Sequence, residues 1–157
     1  MSENHKLEKN NWGQVIAICR SEEKGEAKTE IEAGYLKENY GLKGDAHAGD
    51  WHRQISLLGQ EDIDEMRAQG LELEAGAFGE NIVTEGLELY ELPIGSRLKI
   101  GDEILLEVTQ IGKECHDRCE IYQQVGDCIM PKRGIFAKVL AGGKIEKDIS
   151  IEVILND

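Results

Sequence analysis

Arg97-Leu98-Lys99-Ile100-Gly101-Asp102-Glu103-Ile104-Leu105-Leu106-Glu107-Val108 sets two short apolar runs, Arg97 to Ile100 and Ile104 to Val108, on either side of a Gly-Asp break. Runs of this length punctuated by turn residues read as strands. The pattern extends backward through Ile82-Val83 and Leu87 to Leu89, with Gly86 and Pro93-Ile94-Gly95 as separators. It extends forward to Ile149-Ser150-Ile151-Glu152-Val153, where apolar residues alternate with others. Short strands at such spacing favour a barrel or a sandwich. The expected fold is mainly β: a closed or partly open β-barrel with a few short helices.

The first half of the chain adds to this frame. Val15-Ile16-Ala17-Ile18-Cys19 is a β-branched run expected as a buried strand, and Ser21 to Gly25 is a charged turn. Lys28 to Glu32 and Gln54 to Leu58 are further strand candidates, with the glycine-rich loop Gly41 to Gly49 ahead of the second. Gln60 to Gln69 reads as a short helix: Glu61 and Asp62 suit its positive N-terminal end, Ile63 and Met66 share a face, and Gly70 stops it. Gly134 to Leu140 reads as a second helix, with Ile135, Phe136, Val139 and Leu140 at helical spacing and Gly142-Gly143 as its end. No internal repeat, low-complexity tract or linker is present.

At 157 residues the chain is expected to form a single domain over 1–157, with 1–11 as a flexible tail. Hydrophobic residues make up 40%, yet there are only two Phe and two Trp, so Ile, Val and Leu must fill the core. No stretch approaches the roughly 18 apolar residues of a membrane span, and the polar opening lacks a secretory core. A cytoplasmic protein without membrane contact is expected, and its four cysteines then read as thiols for metal or redox work. A net charge of −13 disfavours binding to nucleic acid, which needs Lys and Arg surfaces. The charge is uneven, because Ile111 to Lys147 carries seven Lys/Arg against five Asp/Glu while the rest of the chain is strongly acidic.

That less acidic segment holds Cys115-His116-Asp117-Arg118-Cys119. Cys115 and Cys119 are four apart and would share one face of a helix. Lys113, Arg118 and His116 would lower a thiol pKa, whereas Glu114, Asp117 and Glu120 oppose the shift; the balance suits a nucleophile, a sulfur carrier or a soft-metal ligand. The competing reading is that a cysteine is a small buried apolar residue, which fits Cys19 and Cys128 better. Zinc held by three of Cys115, His116, Cys119 and Cys128 is less expected, because structural zinc sites usually pair two knuckles and only one is present.

The loop Gly44-Asp45-Ala46-His47-Ala48-Gly49 is neither a P-loop nor a dinucleotide fingerprint. Its glycines would let backbone N–H groups approach an anion, with Asp45, His47, His52 and Arg53 around them. The plainer alternative is a surface turn capped by Asp45. Pro131-Lys132-Arg133-Gly134 ahead of the second expected helix could form another anion site, or could simply be a solvated charge pair.

Five motifs in order make the chain resemble the MOSC family, the domain found at the C-terminus of molybdenum-cofactor sulfurases and in the amidoxime-reducing proteins. They are Gly44-Asp45-Ala46-His47-Ala48-Gly49, Arg53-Gln54-Ile55-Ser56-Leu57-Leu58, Phe78-Gly79-Glu80-Asn81-Ile82, Leu92-Pro93-Ile94-Gly95-Ser96-Arg97-Leu98-Lys99-Ile100-Gly101, and Arg118-Cys119. The resemblance implies a MOSC-like barrel and a pocket in which a cysteine binds the molybdenum centre or carries sulfur. Carried over, Cys119 takes the place of the family cysteine, and Asp45, His47, Arg53 and Asn81 line or support the cofactor pocket. Lys132 and Arg133 are added on physical grounds, to neutralise the cofactor's phosphate. In many small relatives the cysteine follows a proline, whereas Asp117-Arg118 precede Cys119 here and Cys115 stands four residues before it, so Cys115 could share or take the role.

The resemblance thus implies a protein that binds the molybdenum cofactor (molybdopterin) or carries sulfur in its metabolism, with cofactor-synthesis proteins as partners. Two alternatives remain open at this stage. One is a molybdenum-dependent reductase of N-hydroxylated compounds; the other is a non-catalytic zinc, redox or docking module. The chain shows neither the N-terminal β-barrel domain of the amidoxime-reducing proteins nor the pyridoxal-dependent domain of the sulfurases, so any sulfur handling is expected to be independent of pyridoxal phosphate.

Overall fold

Val15, Ile18, Leu57, Ile82 and Ile135 lie in one apolar cluster although they come from four separate stretches of sequence, and closing a sheet on itself is what brings them together. The computed structural model describes residues 11–22, 28–46, 48–68, 70, 76, 80–112 and 134–154. In chain order these form β1 (Trp12–Arg20), β2 (Thr29–Ile31), β3 (Ala33–Lys37), β4 (Gly41–Leu42), β5 (Ile55–Gly59), α1 (Gln60–Arg67), β6 (Ile82–Glu85), β7 (Arg97–Ile100), β8 (Ile104–Ile111), β9 (Ile135–Ala141), β10 (Gly143–Glu146) and β11 (Ser150–Ile154). Seven of them follow one another as β11-β7-β8-β9-β5-β6-β1, and β1 pairs back onto β11 to close the barrel. Closure leaves no free edge in that ring. β2 extends β1 outward, and β10, β3 and β4 form a small separate sheet.

Every pairing in the barrel is antiparallel except that between β5 and β6. Parallel neighbours need a crossover connection, and α1 lies in it. The helix buries Ile63 and Met66, as its spacing anticipates, and begins with Glu61 and Asp62 in its first turn. Glu61 also accepts a hydrogen bond from the Gly86 amide at 2.8 Å, which anchors the helix start to the far end of β6. Along β5, Ile55 and Leu57 belong to the central cluster while Ser56 and Leu58, equally buried, do not. The wall is therefore covered on both faces at this point, which explains a strand without polar alternation. Each fully enclosed Leu or Ile contributes on the order of 1.5–3 kcal/mol to such a core.

Two sequence expectations are corrected. Gly134 to Leu140 is not a helix: Ile135–Ala141 is β9, paired with β8 on one side and β5 on the other. Its run is apolar because both faces are covered, and an apolar run mimics helical spacing when neither face is solvated. Leu87 to Leu89 is not a strand; a 3-10 turn at Leu89–Glu91 sends Leu87, Leu89 and Leu92 together into the central cluster. The strands β3, β4 and β10 were not anticipated, and Asn11, at the edge of the expected tail, accepts a hydrogen bond from the Val153 amide at 2.7 Å.

Candidate functional site

Two backbone contacts at and just beyond the end of β1 organise the first part of the site. Cys19 gives its carbonyl to Asn81 Nδ2 at 3.1 Å, and Ser21 gives its amide to Asp45 Oδ1 at 3.1 Å. The register pairs Arg20 with Thr29, so the next residues outward, Ser21 and Lys28, face each other. Lys28 Nζ consequently reaches both Ser21 Oγ at 3.3 Å and Asp45 Oδ1 at 2.8 Å. Both members of the Lys28–Asp45 pair have fully enclosed side chains. A buried charge is tolerated only when paired and hydrogen-bonded, and Asp45 satisfies that rule by holding the glycine loop against β1. Asp45 is thus an internal tie and not the cap of a solvated surface turn.

The loop itself is shaped by backbone geometry. Gly41 has φ of 122°, a conformation costly for any side chain, and a Cβ there would run into the Gln54 carbonyl. Gln54, fully buried, donates to Asn39 Oδ1 and accepts from the Val139 amide, both at 2.9 Å, so it fastens the β3–β4 turn to β9.

Asn81 is also completely enclosed. Its Oδ1 accepts from the Ser56 amide at 2.9 Å and from Ser56 Oγ at 3.2 Å, while Ser56 Oγ accepts the Asn81 amide at 3.0 Å. With its bond to the Cys19 carbonyl, one side chain clamps β1, β5 and the start of β6. Ser56 is then paired in register with Phe136, and Phe136 with Gln110. A single row of the barrel wall therefore runs Cys19, Asn81, Ser56, Phe136, Gln110.

Arg53 sits at the far end of that row. Its guanidinium lies over the Phe136 ring with 5.2 Å to the centroid, and its Nε donates to Gln110 Oε1 at 3.0 Å. His52 Nε2 meets the same oxygen at 2.9 Å. Since Gln110 Nε2 donates to the Gly112 carbonyl at 2.8 Å, the amide orientation is fixed, Oε1 is the acceptor, and His52 carries its proton on Nε2. Thr109 Oγ1 lies against the His52 carbonyl and the Phe136 carbonyl, pinning the His52 backbone. Neither terminal guanidinium nitrogen of Arg53 has a hydrogen-bond partner among the described residues. A partly buried cation stacked on an aromatic face, with two donors unspent, is suited to an oxyanion.

The structure thus links Asp45 and Asn81 through β1 and places Arg53 on the same wall. His47, Cys115, Cys119, Lys132 and Arg133 lie outside the described residues, as do His116 and Cys128. Lys132 and Arg133 still lose one premise, because the element after them is β9 and offers no helix N-terminus. Among the described residues no three His, Cys, Asp or Glu side chains are grouped as metal ligands. Cys19, the one described cysteine, is fully buried, and burial, followed by the nearby carboxylates of Glu80 and Glu30, pushes its thiol up to about 12. It stays protonated and is excluded as the reactive thiol. Lys28, Ser56, Phe136 and Gln110 are not singled out as site residues by the sequence, because their partners are brought to them only by the fold.

No helix among the described residues is long and apolar enough to cross a membrane. No curated protein matches the sequence. Several crystal structures share the fold. The YuaD protein from Bacillus subtilis superposes with a TM-score of 0.77 at 18% identity, over 93% of this chain and 97% of its own. YiiM from Geobacillus stearothermophilus gives 0.66 at 22% identity, covering 92% and 75%, and YiiM from Escherichia coli gives 0.62 at 22%, covering 92% and 71%. The MOSC domain model matches residues 44–152, a span that includes Asp45, Arg53, Asn81 and Gln110, takes in β5, β6, β7, β8 and β9 whole, and ends within β11. By that match, the chain belongs to the MOSC domain family.

Proposed function

We propose that this protein binds the molybdenum cofactor, or carries sulfur for it, with Cys119 as the thiol that meets the metal or the sulfur. One observation supports the reading above the others: Arg53 presents a guanidinium edge with no partner among the described residues, on a wall that ends at Gly112 and resumes at Gly134, the two residues flanking the cysteine-bearing segment. The Gly112 amide and the Gly134 carbonyl are bonded at 2.6 Å, so both ends of that segment start from one point.

The described residues fit part of such a ligand. Arg53 suits its phosphate, while Asp45 spends its charge on Lys28 and contributes shape by holding the loop in place. A soft ligand would have to come from another residue, since Cys19 is buried with its thiol pushed up to about 12, and the sequence resemblance favours Cys119 for it. Bound cofactor would supply molybdenum redox or sulfur chemistry. In the carrier role, the Cys119 thiolate attacks the outer sulfur of a donor persulfide, forming Cys119–S–SH as the donor leaves as its thiolate. No net oxidation is needed.

Native mass spectrometry with metal analysis, after incubation with molybdenum cofactor, tests the reading. Wild type and Cys115→Ser are expected to retain the cofactor or sulfane sulfur, and Cys119→Ser to lose it. If wild type and Cys119→Ser bind equally weakly and neither carries sulfane sulfur, the reading fails. Donor-dependent reduction of N-hydroxylated compounds by the loaded protein would instead favour a reductase.

A further inference from the structure

We propose that Gln110 is a positioning residue, which aims the free edge of Arg53 at an oxyanion of the phosphate or pyrophosphate class. The inference deepens the anion side of the function proposed above and rests on it only for the identity of the physiological ligand. Free arginine side chains sample many rotamers, and an anion must order one of them at an entropic cost. Here that ordering is already done. Gln110 Oε1 accepts from Arg53 Nε at 3.0 Å, and Phe136 supports the guanidinium plane from below at 5.2 Å. Nε bonding leaves the two terminal nitrogens to act as a fork, the geometry that recognises phosphate through two parallel bonds.

Gln110 is in turn not free to follow Arg53. Its Nε2 is held by the Gly112 carbonyl at 2.8 Å, and the Gly112 amide is held by the Gly134 carbonyl at 2.6 Å. His52 takes the second lone-pair direction of the same Oε1 at 2.9 Å, and Thr109 fixes the His52 backbone. The orientation of the amide therefore cannot invert without breaking three hydrogen bonds, one from Nε2 and two to Oε1. Arg53 is aligned to the framework at the point where β8 ends and β9 begins.

The test uses the full chain with inorganic pyrophosphate as probe, read by titration calorimetry alongside the melting midpoint. Arg53→Ala and Gln110→Ala are each expected to weaken binding by about tenfold, the scale of one charge-assisted contact. Because both act through one guanidinium, the double variant is expected to bind no more weakly than Arg53→Ala. Gln110→Glu keeps the acceptor for Arg53 Nε but sets a negative charge beside the fork. It should retain a slowly exchanging Arg53 Nε–H signal by NMR while still losing affinity. A purely structural role for Gln110 would lower the melting midpoint and leave pyrophosphate affinity unchanged. That result overturns the proposal, as do losses that multiply in the double variant, loss of the Nε–H signal in Gln110→Glu, or a wild type that ignores pyrophosphate. Cys119→Ser separates the two readings: if it has lost cofactor or sulfur yet shows the same Gln110-dependent pyrophosphate response, the positioning role does not depend on the thiol. A Gln110-dependent response in a wild type that takes up neither cofactor nor sulfane sulfur would keep the positioning role and reject the function.

Discussion

Lys28 Nζ and Asp45 Oδ1 lie 2.8 Å apart with both side chains fully enclosed, and this pair joins the flank of β2 to the glycine loop. Removing one partner takes from the other buried charge a counter-ion in direct contact, a loss of about 3–5 kcal/mol, whereas replacing both with apolar groups costs much less. Lys28→Met and Asp45→Leu are each expected to lower the free energy of unfolding by that amount. The double variant should be clearly more stable than the sum of the single losses implies. Urea unfolding of all four proteins closes the cycle, and strictly additive losses would show that the pair has no mutual dependence.

Asn81 makes its case by number of contacts. It serves the Cys19 carbonyl, the Ser56 amide and Ser56 Oγ from a site with no solvent access. Each buried group left unpaired costs roughly 1–3 kcal/mol, so Asn81→Ala should destabilise the fold by about 3 kcal/mol or more. Hydrogen exchange should then rise first at the Ser56 amide. A variant as stable as wild type would mean that the clamp contributes nothing net.

Thr84 gives the opposite expectation. Its hydroxyl is buried within the β6 wall and has no hydrogen-bond partner among the described residues, a cost that Thr84→Val removes with almost no change in volume. The variant should be neutral or more stable by about 1 kcal/mol in thermal or urea unfolding. A loss of 2 kcal/mol would reveal a partner for that oxygen.

The contrast between Asn81 and Thr84 also marks what could be read in the sequence. Arg97–Ile100 is recognisable as a strand because one face is solvated, giving the exposed-buried alternation that period two predicts. β9 is misread because both of its faces are covered, so periodicity carries no information. β3 is obscured since one of its two inward positions is Gly34, which adds no apolar signal. Site residues follow the same logic. Asp45, Arg53 and Asn81 stand out through motif order, whereas Lys28 and Gln110 acquire meaning only when the barrel brings residues 17 and 57 positions apart into contact. Nothing local encodes such a partnership.

Cys19 supplies a pH-dependent test. Burial, with the carboxylates of Glu80 and Glu30, pushes its thiol up to about 12 in the folded protein, from an ordinary value of 9.0. Between those values the unfolded chain releases the thiol proton while the folded chain keeps it, so folding binds a proton and stability falls as pH rises. The stabilisation is complete below about pH 9 and lost toward pH 12, at a slope near 1.4 kcal/mol per pH unit. Cys19→Val lacks this ionisation. Other groups titrate equally in both proteins, so the stability of the variant relative to wild type should improve steadily above pH 9 and stay constant below it. Mass-spectrometric mapping after iodoacetamide treatment of native protein at pH 8 should likewise find Cys19 unmodified, with modification appearing on denaturation. Rapid native alkylation at Cys19, or a stability difference that does not vary with pH, would reverse the assignment of Cys19 as an inert core residue and reopen it as a candidate for the working thiol.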